Sequence, residues 1–181
     1  MPKKNDNERG EGRVLFIDDE ESIRESLSEL LTACGFQVLL ADSYKSAVGV
    51  LGKNEEIEAI VCDLKMPGKS GIEVLKHVNG LERNIPLIFL TGYGTLDTCQ
   101  EAVREGAFDY ILKPIDNKDK VIFPLRHAVE KYRLEKMNKE MHADILRMAE
   151  EHKRILEEIL DDAEIKEKIQ ENISRIVDRW R

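Results

Sequence analysis

Asp63 closes the apolar run Ala59-Ile60-Val61-Cys62 and is followed at once by Leu64-Lys65-Met66-Pro67-Gly68. A short β-branched run that ends in a carboxylate and then a Pro-Gly turn reads as a strand buried on both faces, with the acid at its carboxyl tip. Three other runs end in polar residues. Arg13-Val14-Leu15-Phe16-Ile17 leads into Asp18-Asp19, Pro86-Leu87-Ile88-Phe89-Leu90 into Thr91-Gly92, and Asp109-Tyr110-Ile111-Leu112 into Lys113-Pro114. Two like charges about 4 Å apart repel by ~4 kcal/mol at an effective dielectric near 20. Three carboxylates at one edge therefore call for a compensating cation, and hard oxygen ligands with room for water suit Mg²⁺. Lys113 adds a positive point charge and Thr91 a hydroxyl donor, while a carboxylate can itself act as a nucleophile and form an aspartyl phosphate. The set suits a dianionic phosphoryl group beside a metal. A lone Asp at a strand end more often caps the next loop; the order Asp-Asp, Asp, Thr, Lys-Pro on successive strand ends outweighs that plainer reading.

These residues meet only if the strands lie parallel, with their carboxyl ends on one side. The chain between them supplies what that needs. Residues 22–33 place Ile23, Leu27, Leu30 and Leu31 on one helical face, and Gly35 supplies the stop. Residues 37–41 form a second strand, and a helix over 43–53 has Ser43 as its N-cap. Helices over 70–79 and 96–105 separate the later strands. Five alternations of strand and helix demand a parallel sheet with right-handed crossovers and helices on both faces. In such a sheet ligands bind at the carboxyl ends of the strands, where Asp63 falls.

The 181 residues leave room for one ordinary domain and an appendage, and 41% hydrophobic with 35% charged content fits a compact core plus a solvated helix. The net charge of −8 argues against a nucleic-acid surface, which needs clustered Lys and Arg. Cys34, Cys62 and Cys99 form no CxxC pair and read as reduced core thiols of a cytoplasmic protein. No apolar run is long enough to span a bilayer, no export signal precedes the first strand, and residues 1–12 read as a disordered leader.

The arrangement resembles the receiver domain of two-component response regulators over roughly residues 13–131. The resemblance is carried by Phe16-Ile17-Asp18-Asp19-Glu20, Asp63-Leu64-Lys65-Met66-Pro67-Gly68, Leu90-Thr91-Gly92-Tyr93-Gly94 and the segment Gly106-Ala107-Phe108-Asp109-Tyr110-Ile111-Leu112-Lys113-Pro114. It implies a flavodoxin-like, doubly wound, five-stranded parallel sheet of order 2-1-3-4-5. By the same resemblance Asp63 is the phosphoacceptor and the donor a phosphohistidine on a sensor histidine kinase. Asp19 is a direct Mg²⁺ ligand, Asp18 acts mainly through metal-bound water, and Asp63 and the Lys65 carbonyl complete the protein ligands. Lys113 pairs with the phosphoryl oxygens, Thr91 is the switch hydroxyl and Tyr110 the rotating aromatic; the Lys113-Pro114 bond is expected to be cis. The implied activity is autocatalysed phosphotransfer and autodephosphorylation, not the turnover of a conventional enzyme. Lys65 and Tyr93 depart from the commonest residues of the family. They either shield the acyl phosphate from water or, for Lys65, point to solvent.

Gly and Pro all but vanish after Pro124, so the rest reads as a long helix, with residues 132–181 as a tail. Met141, Ile145, Met148, His152, Ile155 and Ile159 follow a heptad seam, whose strict register next takes in Asp162 and Lys166. Apolar spacing resumes at Ile169, Ile173, Ile176 and Trp180, and Asp161-Asp162-Ala163-Glu164 resembles a capping box. A continuous helix forming a homodimeric coiled coil is favoured over a two-helix hairpin. His142 and His152 read as polar residues of a helix face, not as phosphotransfer groups. No helix-turn-helix with a basic recognition helix appears, so direct DNA binding is not expected. The leading expectation is a phosphoacceptor that signals to an unknown downstream protein through contacts of the receiver and tail. A receiver-like scaffold that has lost phosphorylation is a second reading, which the intact Asp, Thr and Lys set argues against. The N-terminal part of a larger regulator is a third, which a stop codon after Arg181 would decide.

Overall fold

The computed structural model describes residues 10–92, 96–159 and 163–180. Five strands, β1 (Gly12–Ile17), β2 (Phe36–Ala41), β3 (Ala59–Cys62), β4 (Leu87–Thr91) and β5 (Asp109–Leu112), form one sheet of order β2-β1-β3-β4-β5. Every neighbouring pair runs parallel. The helices α1 (Glu21–Ala33), α2 (Tyr44–Lys53), α3 (Gly71–Asn79), α4 (Leu96–Arg104) and α5 (Asp119–Ile159) follow the strands in turn, and α6 (Ala163–Trp180) closes the chain. This is the flavodoxin-like α/β architecture expected from the sequence, with a long helix after it.

Successive strand residues point to opposite faces, and the two cores separate accordingly. Leu15, Ile17, Ile60, Cys62, Leu87 and Phe89 pack with residues of α2 and α3 on one face. Val14, Phe16, Ala59, Val61, Ile88 and Leu90 pack with Leu27 and Leu31 of α1 and with Val121, Leu125 and Val129 of α5 on the other. The central strands are buried along their whole length, which explains why they read as unbroken apolar runs.

The expected N-cap of α2 is present, and α3 carries a capping box that the sequence reading did not name. Ser43 caps α2 by accepting a hydrogen bond from the Ser46 amide at 3.3 Å. Ser70 caps α3, and the Glu73 carboxylate reaches back to the Ser70 amide at 2.8 Å. The start of α5 differs from the sequence reading, which placed the long helix after Pro124. The helix begins at Asp119 and takes Pro124 inside it. The proline removes only one amide, whose partner would be the carbonyl of the solvent-exposed Lys120 near the helix start.

The chain divides into two compact units, Met1–Arg133 and Leu134–Arg181. In the first, Arg133 holds the N-terminal edge of the sheet through a two-pronged contact with Glu58, whose carboxylate also accepts the Arg13 amide. The second unit is helical. Helix is present on both sides of residues 160–162, and those three, with Asp161 and Asp162 of the expected capping box, lie outside the described residues. So do residues 1–9 of the expected leader and the side chains of Ile159, Glu164, Lys166, Ile176 and Trp180. Among the described residues no helix is long and apolar enough to cross a membrane.

Candidate functional site

The strand order reverses between β1 and β3: the chain steps from β1 outward to β2, then returns to the other side of β1 for β3. A crevice opens at such a reversal, outside the carboxyl ends of the strands. Asp18 follows β1 and Asp63 follows β3, so the two carboxylates flank it. Main-chain hydrogen bonds fix both tips. The Asp63 amide donates to the Ile17 carbonyl at 2.7 Å, and the Asp18 amide to Ala41 at 3.2 Å. On the far side, the Lys113 amide donates to Thr91 at 2.9 Å, and the Lys113-Pro114 peptide is cis.

Within this frame the side chains converge from residues distant in sequence. Lys113 Nζ lies 2.8 Å from Asp18 Oδ2 and 3.7 Å from Asp63 Oδ1. Asp18, Asp63 and Thr91 are buried. Asp18 Oδ1 accepts the Glu20 amide at 2.9 Å, so both of its oxygens have partners. Asp63 is different. Its Oδ1 is buried with no hydrogen-bond partner. Burial pushes the Asp63 carboxyl above its ordinary range; Lys113 pulls it down and Asp18 pushes it up again.

The remaining candidates stand at the rim. Asp19 and Lys65 are exposed, and Tyr110 is half-buried with its ring edge-on to Phe89 at 6.4 Å between centroids. Burial raises the Tyr110 phenol above its usual range. Tyr93 lies outside the described residues. Cys62 is fully buried and its thiol donates to the Asp63 carbonyl at 3.1 Å; burial pushes its pKa well up, with Asp63 and Asp18 adding to the effect, which makes it an inert core thiol.

Two residues that the sequence reading passed over belong to the site. Arg24, on the first turns of α1, donates to the Asp18 carbonyl at 2.7 Å and so braces the turn carrying Asp18 and Asp19. Gly71 opens α3 directly beneath Asp63, where a Cβ would come within 2.4 Å of the Asp63 carbonyl oxygen. A Gly after a Ser N-cap carries no such signal in sequence. An Arg six residues after Asp18 at least hints at a local counter-charge.

Among the described residues no group of three or more His, Cys, Asp or Glu side chains is gathered to hold a metal unaided. The donor set nevertheless fits a hydrated cation. An unpartnered buried carboxylate oxygen lies beside a second buried carboxylate, and Mg²⁺ keeps several waters when only one or two carboxylates hold it.

Comparison with known proteins agrees with this geometry. The response regulator receiver domain family matches residues 14–122, and the chain belongs to that family. Sporulation initiation phosphotransferase F of Bacillus subtilis is 36% identical over 120 residues, covering 66% of this chain and 92% of that protein. Response regulator protein FleR of Pseudomonas aeruginosa is 32% identical over 117 residues, or 65% of this chain, which thus spans only 24% of FleR. A response regulator receiver domain protein from Clostridium thermocellum superposes with a TM-score of 0.64 at 31% identity, over 68% of this chain and 98% of that one.

Proposed function

We propose that this chain is a response regulator that takes a phosphoryl group on Asp63 from a phosphohistidine of a sensor histidine kinase. The observation that carries the reading is the buried, unpartnered Asp63 Oδ1, held beside Lys113 and Asp18 at the strand-order reversal. Ionised Asp63 attacks the phosphorus in line; an O–P bond forms, the P–N bond breaks, and the imidazole leaves with the electron pair. Lys113 stands where it can move from Asp18 toward the equatorial oxygens, and the buried Thr91 ends the neighbouring strand β4. Asp63, Asp19, the Lys65 carbonyl and, through water, Asp18 would hold Mg²⁺, whose charge offsets that of the phosphoryl oxygens and carboxylates. Tyr110 serves as the aromatic of a two-state packing that the phosphoryl group biases. Asp63 also loses its phosphoryl group to water, with no further enzyme needed.

In this reading the receiver spans residues 13–131 and the helical tail 132–181, and the protein works in the cytoplasm. Output passes by contact of the receiver and tail with a downstream protein, without direct DNA binding, and the tail joins two copies of the chain.

The test is intact-mass spectrometry after incubation with a small acyl phosphate. One added phosphoryl group is expected with Mg²⁺, none with a chelator and none in Asp63→Asn. Equal labelling of Asp63→Asn overturns the assignment.

A further inference from the structure

Beyond Arg133, the exposed large apolar side chains among the described residues are Leu134, Met137, Met141, Met148 and Ile155. Four of these five recur every seventh residue: Leu134, Met141, Met148 and Ile155. Met141, Met148 and Ile155 leave 51%, 54% and 41% of their surface in water, more than a helix face without a partner usually carries. The residues four further on are Asn138, Ile145, His152 and Ile159. Steps of four and then three identify the Leu134 set as heptad position d and the Asn138 set as position a.

From this register we propose that a second copy of the chain covers the stripe, as a parallel, in-register, two-stranded coiled coil. The inference rests on the tail being a protein-contact surface, but not on phosphorylation of Asp63. Three features select this occupant. First, β-branched Ile145 and Ile159 at a, with Leu134, Met141 and Met148, none of them β-branched, at three of the four d positions and Ile155 at the fourth, lies nearest the combination that favours two parallel strands over three or four.

Second, the polar a residues have partners only in this arrangement. In register, Asn138 meets Asn138 and His152 meets His152 of the second copy, and each amide or imidazole pairs with its twin. An antiparallel pair centred on the same stretch sets Asn138 against Ile155 and His152 against Met141. Both polar groups are then buried without a hydrogen bond, which is costly. Third, position g carries Asp144 and Glu151 while position e carries His142 and Ala149. Parallel strands bring g to e, whereas antiparallel strands bring g to g and set acid against acid. Counted on in sequence, the same register takes in Asp162 at d and Lys166 at a and then returns to apolar residues in α6, with Ile169 at d and Ile173 at a. A helix folded back on α5 has no need to keep that phase.

Light scattering on the full-length, unphosphorylated chain should give twice the chain mass. Met148→Cys should then cross-link to its own copy in a mild thiol–disulfide buffer, well above the background from Cys34, Cys62 and Cys99 seen in the unmodified chain. Arg147→Cys, one residue away on the outer face, should stay at background. A monomeric mass overturns the proposal, whether α6 or a different protein covers the stripe. A dimer in which Met148→Cys stays at background, while a mixture of Met141→Cys and His152→Cys chains cross-links, overturns the parallel register. Labelling of Asp63 by acyl phosphate on the same samples keeps the two readings apart, because loss of the dimer leaves it intact.

Discussion

Lys113 rests on Asp18, at 2.8 Å, and stands 3.7 Å from Asp63. The lysine thus serves the carboxylate that has no contact with water and leaves Asp63, the proposed phosphoacceptor, incompletely paired. Asp18 is fully buried, and the Lys113 ammonium is its ion-pair partner. Asp63 keeps one buried oxygen without a hydrogen bond, which on the proposed reading is the oxygen open to an incoming electrophile. On the proposed reading, a phosphoryl group on Asp63 would give Lys113 a second, more highly charged partner.

Removing Lys113 should therefore damage folding as well as chemistry. Breaking a buried ion pair from one side costs about 3 kcal/mol or more. Lys113→Ala is expected to lose roughly that much in urea unfolding with chelator present, and to lose at least about tenfold in acyl-phosphate labelling. Combining it with Asp18→Asn should cost much less than the sum of the two, because the second change removes the stranded charge. Additive losses would show that the pair contributes nothing.

The pH dependence of stability has a definite sign at Asp63. Burial raises its carboxyl above the ordinary range, so the folded chain binds that proton more tightly than the unfolded chain. Its contribution is most favourable in acid, declines as pH rises from the ordinary Asp value to the raised folded one, and does not return above it. Asp63→Asn removes this titration. With chelator present, its melting temperature relative to the natural chain should rise between acid and neutral pH, then level off. Thermal scans across that range check it, and a difference independent of pH would contradict it.

Gly71 sets how closely α3 approaches the site. A Cβ there would lie 2.4 Å from the Asp63 carbonyl oxygen, 2.8 Å from Phe89 Cε1 and 3.1 Å from Leu64 Cα. Two of these atoms are backbone, so the turn carrying Asp63 must move. Gly71→Ala should cost about 1–3 kcal/mol, as overpacking does. Because a misplacement of about 1 Å can cost roughly 100-fold in rate, labelling should fall further than stability suggests. Urea unfolding and initial labelling rates, measured together, test the pairing of the two effects.

The residues at the strand tips were legible because a parallel sheet turns sequence order into position. Once the apolar runs are strands, Asp18, Asp63, Thr91 and Lys113 must share an edge. What the sequence hides is how they pair. Nothing in the chain indicates that Lys113 prefers Asp18 to Asp63, a contact between residues 95 apart in sequence. Pro124 misled in the opposite way: a helix breaker by type, it sits early enough in α5 that one lost hydrogen bond faces solvent. Gly71 was silent because its role depends on a close approach, not on its own backbone angles. Asp19 was legible as the second acid at the tip of the first strand, whereas Lys65 was named through family resemblance alone; both are exposed at the rim.

Arg24 offers the sharpest test of how the acidic turn is held. Its guanidinium donates to the Asp18 carbonyl at 2.7 Å, and its own amide donates to Glu20 at 3.0 Å, so it spans the turn from both ends. Asp18 in turn accepts the Glu20 amide, which closes a small network around Asp19. Groups that orient a metal's ligands, without touching the metal, typically change affinity about 10–100-fold when removed. Arg24→Ala should therefore weaken Mg²⁺ binding and slow labelling of Asp63 together, by about tenfold. Loss of one hydrogen bond from a charged donor costs only about 1.5–3 kcal/mol, so the fold should survive. Arg24→Lys places a single ammonium on a flexible stem and should recover part of the affinity, since the planar fork is what fixes the geometry. Calorimetric titration of Mg²⁺ and thermal melting on the same samples separate the two roles. Lowered stability with unchanged Mg²⁺ affinity would mean that Arg24 only anchors α1, and that the acidic turn holds its shape without it.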